Sequence, residues 1–343
     1  MKIAFYDTKP YDVPSFKEHG ARRGFVFKFL ETRLNENTAE LAKDCDAVCV
    51  FVNDEVNAKV IDALYAYGVK LIALRCAGYN NVDVRHAFGK IHVVHVPSYS
   101  PHAVAEHAAA LLLASVRKTH KAYIRTRDFN FSLSGLTGFD LYGKTAGIVG
   151  AGRIGRVFAD ICKGFGMNVL LFDRNVKDND FTYVNLEELL TDSDIISLHC
   201  PLTAETHHLI NADTIDKMKN GVVLLNTSRG ALIDAEALIN GIKSGKIGAA
   251  GLDVYEEEAD VFFNDFSEKV VKDDVLTRLI SMPNVIITSH QAFLTKEALD
   301  NIADTTVNNI LSYFENDGLC DNELCYRCGN IERCKKERKE RCF

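Results

Sequence analysis

Near the middle of the chain an apolar run, Thr145–Val149, opens directly into Gly150-Ala151-Gly152-Arg153-Ile154-Gly155, and a helical pattern, Ile154–Phe165, follows at once. A second apolar run, Asn168–Phe172, then ends on Asp173. This glycine spacing is a weak signal alone. It becomes a strong constraint when a strand precedes it, a helix follows it and an acid closes the next strand. The first glycine permits a tight turn, the second lets the backbone approach a pyrophosphate, and the third lets the helix pack closely on the strand. The helix N-terminus then faces the phosphate charge. Asp173 can accept hydrogen bonds from both ribose hydroxyls and repels a 2′-phosphate. That predicts NAD rather than NADP, with the neighbouring Arg174 tempering the preference.

The loop lies far from the N-terminus, so a second structural unit must precede it. Upstream, the apolar runs Lys2–Asp7, Phe25–Leu30, Ala47–Val52, Val69–Arg75 and His92–Val96 alternate with helix-like stretches such as Val56–Tyr67. Downstream, Ile195–His199, Val222–Asn226, Ala249–Val254 and Val285–Ser289 alternate with helical patterns at Leu186–Leu190, Asn211–Lys217 and Asp234–Lys243. Alternation of this kind predicts parallel sheets covered on both faces. Between the two series, Pro101–His120 reads as one long helix with Ser100 as its cap, apolar almost all round at Ala108–Ala114 and therefore buried. A last helix spans Lys296–Glu315. The α/β pattern starts twice, which predicts two doubly wound parallel-sheet domains, in keeping with 343 residues.

Composition narrows the function. Apolar residues make up 47% and charged residues 25%, which excludes wholesale disorder. Asp and Glu number 47 against 40 Lys and Arg, so the net charge of −7 argues against a nucleic-acid partner. No apolar run approaches the ~18 residues of a membrane span. Met1–Pro10 reads as a strand and turn, without the apolar centre of a secretory signal. The expected compartment is the cytoplasm. Five of the ten cysteines lie in the body, at Cys45, Cys49, Cys76, Cys162 and Cys200. Three of these, Cys45, Cys49 and Cys200, fall in or beside apolar runs, where a reduced thiol packs as a small hydrophobe.

Hydride transfer to a 2-keto acid needs a cation to hold the carboxylate and polarise the ketone, and an acid that titrates near neutral pH. Histidine suits the second task, and a carboxylate beside it fixes its orientation. His290 ends the run Val285–Ser289, Arg229 follows Val222–Asn226, and Glu258 follows Ala249–Val254. All three stand beyond the C-terminal ends of strands, where open α/β sheets bind ligands. By position alone each also fits a structural histidine or a solvated ion pair.

Five ordered segments carry a resemblance to a known family. They are Arg75-Cys76-Ala77-Gly78-Tyr79-Asn80-Asn81-Val82-Asp83, the stretch from Pro97 to His107, Leu225-Asn226-Thr227-Ser228-Arg229-Gly230, Gly251-Leu252-Asp253-Val254-Tyr255-Glu256 and Ser289-His290-Gln291-Ala292-Phe293. Together they resemble the NAD-dependent D-2-hydroxyacid dehydrogenases, especially the bacterial fermentative D-lactate dehydrogenase branch, over roughly residues 1 to 324. The resemblance implies a flavodoxin-like substrate domain, 1–100 plus 295–319, interrupted by a Rossmann NAD-binding domain, 101–294, with the active site in the cleft. It implies reduction of pyruvate to D-lactate by NADH, in a homodimer or homotetramer. By motif match, Arg229 binds the substrate carboxylate and keto oxygen, His290 is the general acid/base and Glu258 pairs with it. Ala77, Gly78, Tyr99 and Phe293 are implied to meet the substrate. Gly150, Gly152, Arg153, Ile154, Gly155, Asp173, Cys200, Pro201, Thr206, Thr227, Ser228, Arg229 and Asp253 are the implied cofactor contacts. The pair Glu106–His107 reads as structural. Thr288-Ser289 replaces the Thr-Pro or Thr-Gly of many relatives, which should alter the turn before His290 without altering the chemistry.

Two alternatives stay open at this stage: a bulkier D-2-hydroxy acid as substrate, and an NAD-sensing, protein-binding corepressor. No catalytic metal is implied. Residues 320–343 form a Cys-rich basic tail, with Cys320, Cys325, Cys328, Cys334 and Cys342. Its spacing fits a metal site, a disulfide or redox sensor, or a solvated extension.

Overall fold

The computed structural model describes residues 1–175, 180–258, 261–315 and 320–326. Cys328, Cys334 and Cys342 lie outside them. The chain forms two compact units: Met1–Ser100 together with the segment beginning at Thr295, and Pro101–Leu294.

The first unit holds strands β1 (Lys2–Phe5), β2 (Val26–Phe29), β3 (Ala47–Val50), β4 (Leu71–Leu74) and β5 (His92–Val94), with helices α1 (Val13–Arg22), α2 (Ala58–Ala66) and α3 (Val84–Ala87) between them. Its sheet is parallel, in the order β2-β1-β3-β4-β5. That is the flavodoxin-like order, and every crossover needs a helix or long loop because parallel strands cannot be joined by a hairpin. Strands β3 and β4 are wholly buried, which is why Ala47–Val50 and Leu71–Leu74 read as unbroken apolar runs. Phe5 and Phe16 pack edge to face at 4.7 Å beneath α1. Arg75, just beyond β4, is buried against the rings of Phe5 and Phe51 and faces the Asp12 carboxylate at 3.3 Å.

The second unit begins with α4 (Pro101–Arg117) and α5 (Thr119–Arg127). The expected single helix to His120 breaks at Lys118, whose φ of 53° is left-handed. No glycine or proline announces this break. Helix α4 buries Leu111, Leu112 and Val116, each worth roughly 1.5–3 kcal/mol of apolar burial. The sheet follows: β6 (Thr145–Val149), α6 (Arg153–Gly164), β7 (Asn168–Phe172), β8 (Thr182–Tyr183), α7 (Leu186–Asp192), β9 (Ile195–Leu198), α8 (Ala212–Lys217), β10 (Val222–Asn226), α9 (Ala235–Lys243), β11 (Ile247–Leu252), α10 (Asp274–Ser281) and β12 (Val285–Ile287). All seven strands are parallel, in the order β12-β11-β10-β9-β6-β7-β8. Counted from β6, this is the doubly wound dinucleotide-binding order with one strand added. Connections run in opposite directions from β6 and β9, and that switch point opens a crevice beyond the strand ends.

Helix α11 (Lys296–Glu315) returns to the first unit. Its Asn309 amide donates to the His95 carbonyl at 2.8 Å, and its Asn301 amide to the Tyr99 carbonyl at 2.8 Å. Residues 320–326 dock along β5. Glu323 bridges Val94 in antiparallel fashion, its carboxylate meets His92 Nδ1 at 2.6 Å, and the Leu324 N–H donates to the Val93 carbonyl. This strip covers an otherwise open sheet edge. Cys320 is buried there, with its Sγ 3.4 Å from Asn309 Oδ1.

Candidate active site

The tight turn at Gly150 and the close packing at Gly155 are visible in the backbone. Gly150 has a φ of 101°, and a Cβ on it would lie 2.6 Å from the His199 carbonyl carbon. Only glycine passes there, at the switch point between β6 and β9. A Cβ on Gly155 would collide with the Gly150 carbonyl, while one on Gly152 would meet open space. Gly152 caps α6 without a side-chain acceptor, so no capping side chain takes the first N–H groups of the helix. These are donors for an anion. Asp173 supports the loop directly: its Oδ2 accepts the Ala151 N–H at 2.8 Å and its Oδ1 the Asn175 N–H at 3.0 Å. Arg174 is turned away into an ion pair with Glu205 at 2.7 Å.

Beyond β9 and β10 two loops are stitched together. Ser228 Oγ donates to the Cys200 carbonyl at 2.7 Å, and Thr206 Oγ1 donates to the Pro201 carbonyl at 2.7 Å. The Thr227 hydroxyl is buried and has no hydrogen-bond partner among the described residues. Such an orphan at a strand end suits a bound polar ligand. Arg153, Ile154 and these residues together supply backbone donors, a carboxylate and an open floor, a donor set that fits a dinucleotide.

Asn226, which sequence reading passed over, shapes the turn that presents Arg229. Its Oδ1 accepts the Ser228 N–H at 3.0 Å and its Nδ2 donates to the Arg229 carbonyl at 2.8 Å. The Arg229 guanidinium donates to the Ser228 carbonyl at 2.6 Å. It is half-buried and has no carboxylate partner among the described residues. A guanidinium left so, at a strand end, is suited to an anionic ligand.

His290 and Glu258 meet. The Nδ1–H of His290 donates to Glu258 Oε1 at 2.8 Å, and Glu258 Oε2 accepts the Tyr255 N–H at 3.1 Å. The carboxylate can only accept, so it fixes the tautomer and leaves Nε2 for chemistry. No hydrogen bond or ion pair joins Arg229 to this pair among the described residues. His290 adopts a φ of 52°, with its N–H on the Asp253 carbonyl at 2.7 Å. The Phe263 ring, also unnoticed in the sequence, lies 6.1 Å from the imidazole.

Asp253 organises that turn from below. Its Oδ1 accepts from Thr288 Oγ1 at 2.5 Å and from the Gln291 N–H at 2.9 Å, and its Oδ2 accepts from the Ala292 N–H at 2.8 Å. His107 Nε2 lies 3.3 Å from the carboxylate and 3.0 Å from Thr288 Oγ1. Thr288 has one proton, directed at Asp253, so His107 must be the donor to both. Burial pushes the Asp253 carboxyl up, but the hydrogen bonds from His107, Thr288 and the two N–H groups outweigh it, so the group sits below the usual range. His107 thus has a definite duty on α4, whereas its neighbour Glu106 faces solvent. Phe293 is buried at the end of the same turn.

In the first unit, the loop after β4 is braced by His95, whose Nδ1–H donates to the Ala77 carbonyl at 3.0 Å, and by Asn81, which donates to the carbonyls of Phe51 and Asp54. The N–H groups of Ala77 and Gly78 meet no acceptor among the described residues. The Tyr99 carbonyl is held by Asn301.

Comparison with known proteins agrees with this geometry. Residues 109–292 match the family model described as the D-isomer specific 2-hydroxyacid dehydrogenase, NAD binding domain. The chain is 51% identical over 330 residues to the D-lactate dehydrogenase of Escherichia coli, covering 94% of this chain and 100% of that one. It is 51% identical over 328 residues to a 2-hydroxyacid dehydrogenase homolog of Haemophilus influenzae, covering 94% and 98% of the two chains. The apo-structure of the E. coli D-lactate dehydrogenase superimposes with a TM-score of 0.87 at 49% identity, over 94% of this chain and 100% of that one. A glycine loop at the switch point, a parallel sheet of the dinucleotide order and identity across nearly the whole length lead to one conclusion: the chain belongs to the D-isomer-specific 2-hydroxyacid dehydrogenases, NAD-dependent oxidoreductases.

Proposed function

We propose that this enzyme reduces pyruvate to D-lactate with NADH, and runs the reverse reaction with NAD. The observation that carries the substrate assignment is half identity to the E. coli D-lactate dehydrogenase along that protein's entire length. NADH supplies the hydride. Arg229 binds the substrate carboxylate and the keto oxygen, and its charge stabilises the negative charge that develops there. His290 Nε2 donates the proton to that oxygen, while Glu258 holds Nδ1–H and so fixes the orientation of the ring. The N–H groups of Ala77 and Gly78 take the second carboxylate oxygen, and Tyr99 and Phe293 meet the substrate methyl group. Gly150, Gly152, Arg153, Ile154 and Gly155 receive the cofactor's pyrophosphate and Asp173 its ribose. Cys200, Pro201, Thr206, Thr227, Ser228, Arg229 and Asp253 complete the cofactor contacts.

The enzyme works as a homodimer or homotetramer in the cytoplasm. Exposed Phe129, Leu133 and Tyr142, at 84%, 80% and 82%, give the segment after α5 an apolar surface suited to a second copy. Cys45, Cys49, Cys76, Cys162 and Cys200 are buried and form no disulfide among the described residues, which suits a reducing compartment. NADH oxidation with a panel of 2-keto acids, followed by chiral analysis of the product, tests the assignment. Pyruvate should be the preferred substrate and D-lactate the product. L-lactate, or preference for a bulky keto acid, would overturn it.

A further inference from the structure

Outside the machinery described above, the second unit carries a cluster that the dehydrogenase reaction does not use. His207 and His208 lie on the loop between β9 and α8, and Glu256 lies on the segment after β11. The His208 N–H donates to the Ala231 carbonyl at 2.8 Å, and the Ile210 N–H to the Leu232 carbonyl at 3.0 Å, so the loop is anchored at its base. His208 itself has a φ of 50°, a left-handed conformation that few non-glycine residues adopt. Consecutive side chains would ordinarily diverge. Here the two imidazoles stack face to face, with centroids 4.0 Å apart and planes 27° from parallel.

Glu256 Oε1 lies 2.9 Å from His208 Nε2 and 3.9 Å from His207 Nε2. One ligand atom from each of the three residues falls within 4.8 Å of the others. Zinc binds imidazole nitrogen and carboxylate oxygen at about 2.0–2.2 Å, which sets neighbouring ligand atoms on a tetrahedral ion about 3.3 Å apart. The observed separations bracket that value. All three side chains reach solvent, so rotation about their own torsions closes the remaining gap. Two imidazoles and a carboxylate suit zinc and its neighbours in the transition series, whereas magnesium and calcium favour all-oxygen sets.

We propose that His207, His208 and Glu256 bind a divalent transition-metal ion of the zinc class, with water in the fourth position, and that the ion ties the loop after β9 to the segment carrying Glu258. Glu256 stands two residues before Glu258, on the same turn whose Tyr255 N–H supports the Glu258 carboxylate. Holding Glu256 therefore restrains the residue that orients His290, and occupancy slows turnover. The effect on turnover rests on the proposed oxidoreductase site, but binding of the ion does not.

Cobalt(II), a spectroscopic stand-in for zinc, separates the two. Titrated into the full-length protein, it should give visible bands of a nitrogen- and oxygen-ligated ion, at about one per chain beyond any cobalt held by thiolates. Thiolate ligation is recognised by its charge-transfer absorption. His207→Ala and Glu256→Gln should each weaken the nitrogen–oxygen site at least about tenfold and leave thiolate absorption unchanged. Cobalt spectra identical in wild type and both variants, or thiolate absorption alone, would overturn the site and leave His208–Glu256 as an ordinary hydrogen bond. In the second arm, added zinc should slow NADH oxidation by the wild type with any 2-keto acid it accepts, and a chelator should restore the rate. His207→Ala should resist the same zinc concentration. Equal inhibition of wild type and variant would overturn the tie to Glu258.

Discussion

Asp253→Asn should loosen the turn that carries His290. The wild-type carboxylate accepts from Thr288, Gln291 and Ala292 and faces His107 at 3.3 Å, within a fully buried setting. An amide keeps one oxygen. With that oxygen toward Thr288 and Gln291, the new NH2 opposes the Ala292 N–H and orphans a buried donor, at a cost of about 1–3 kcal/mol. The surviving bonds lose their charge assistance, roughly another 1 kcal/mol in all. A loss of about 2–4 kcal/mol should lower the melting temperature by about 5–15 °C for a unit of this size. The turn also holds His290 in a left-handed conformation that costs about 1–2 kcal/mol. Its displacement should reduce kcat by up to about 100-fold. Because the folded Asp253 carboxyl lies below its ordinary range, its stabilisation is complete above about pH 4 and is lost as pH falls through the folded value. The substituted amide has no such proton to take up, so the stability gap between the proteins should narrow in acid. Calorimetry from pH 7 down to pH 3, with steady-state kinetics at pH 7, reads all three effects. An unchanged melting temperature and kcat, or a gap that widens in acid, would refute the reasoning.

Other substitutions probe separate parts of the site. His290→Ala should lower turnover about 10²–10⁴-fold while fluorescence titration shows NADH binding nearly intact; retained turnover would remove His290 as the acid. Asp173→Ala should weaken NADH binding and narrow the gap to NADPH, because ribose acceptors, the Ala151 N–H bond and a repulsive charge vanish together; a wild type that used both cofactors equally would contradict this. Deleting residues 327–343 should leave turnover and melting temperature near wild type. Deleting from 320 onward should lower the melting temperature, because it uncovers β5 and removes the Glu323–His92 pair; equal stability of the two truncated forms would show the docked strip to be dispensable.

The alternation of apolar runs and helical patterns determined both sheets, since a strand buried on two faces must be apolar throughout and a parallel pair must be joined by a crossover. The glycine loop was legible for the same reason: its backbone demands are local, and only glycine meets them at Gly150 and Gly155. The strand-end positions of Arg229, Glu258 and His290 were likewise readable. Their relations were not. Glu258 meets His290 across 32 residues, and His107 reaches Thr288 across 181, through directional contacts between side chains on different elements. Asn226 reads in the sequence as a strand's last residue, yet its side chain braces the Arg229 turn. The break at Lys118 carries no sequence mark, because any residue can enter the left-handed region when its surroundings repay the strain. Cys320 reads as part of a thiol run, yet it is buried beside Asn309. Periodicity and backbone sterics act within a few residues and survive in the sequence, whereas hydrogen bonds between distant elements exist only once packing has brought their atoms within about 3 Å.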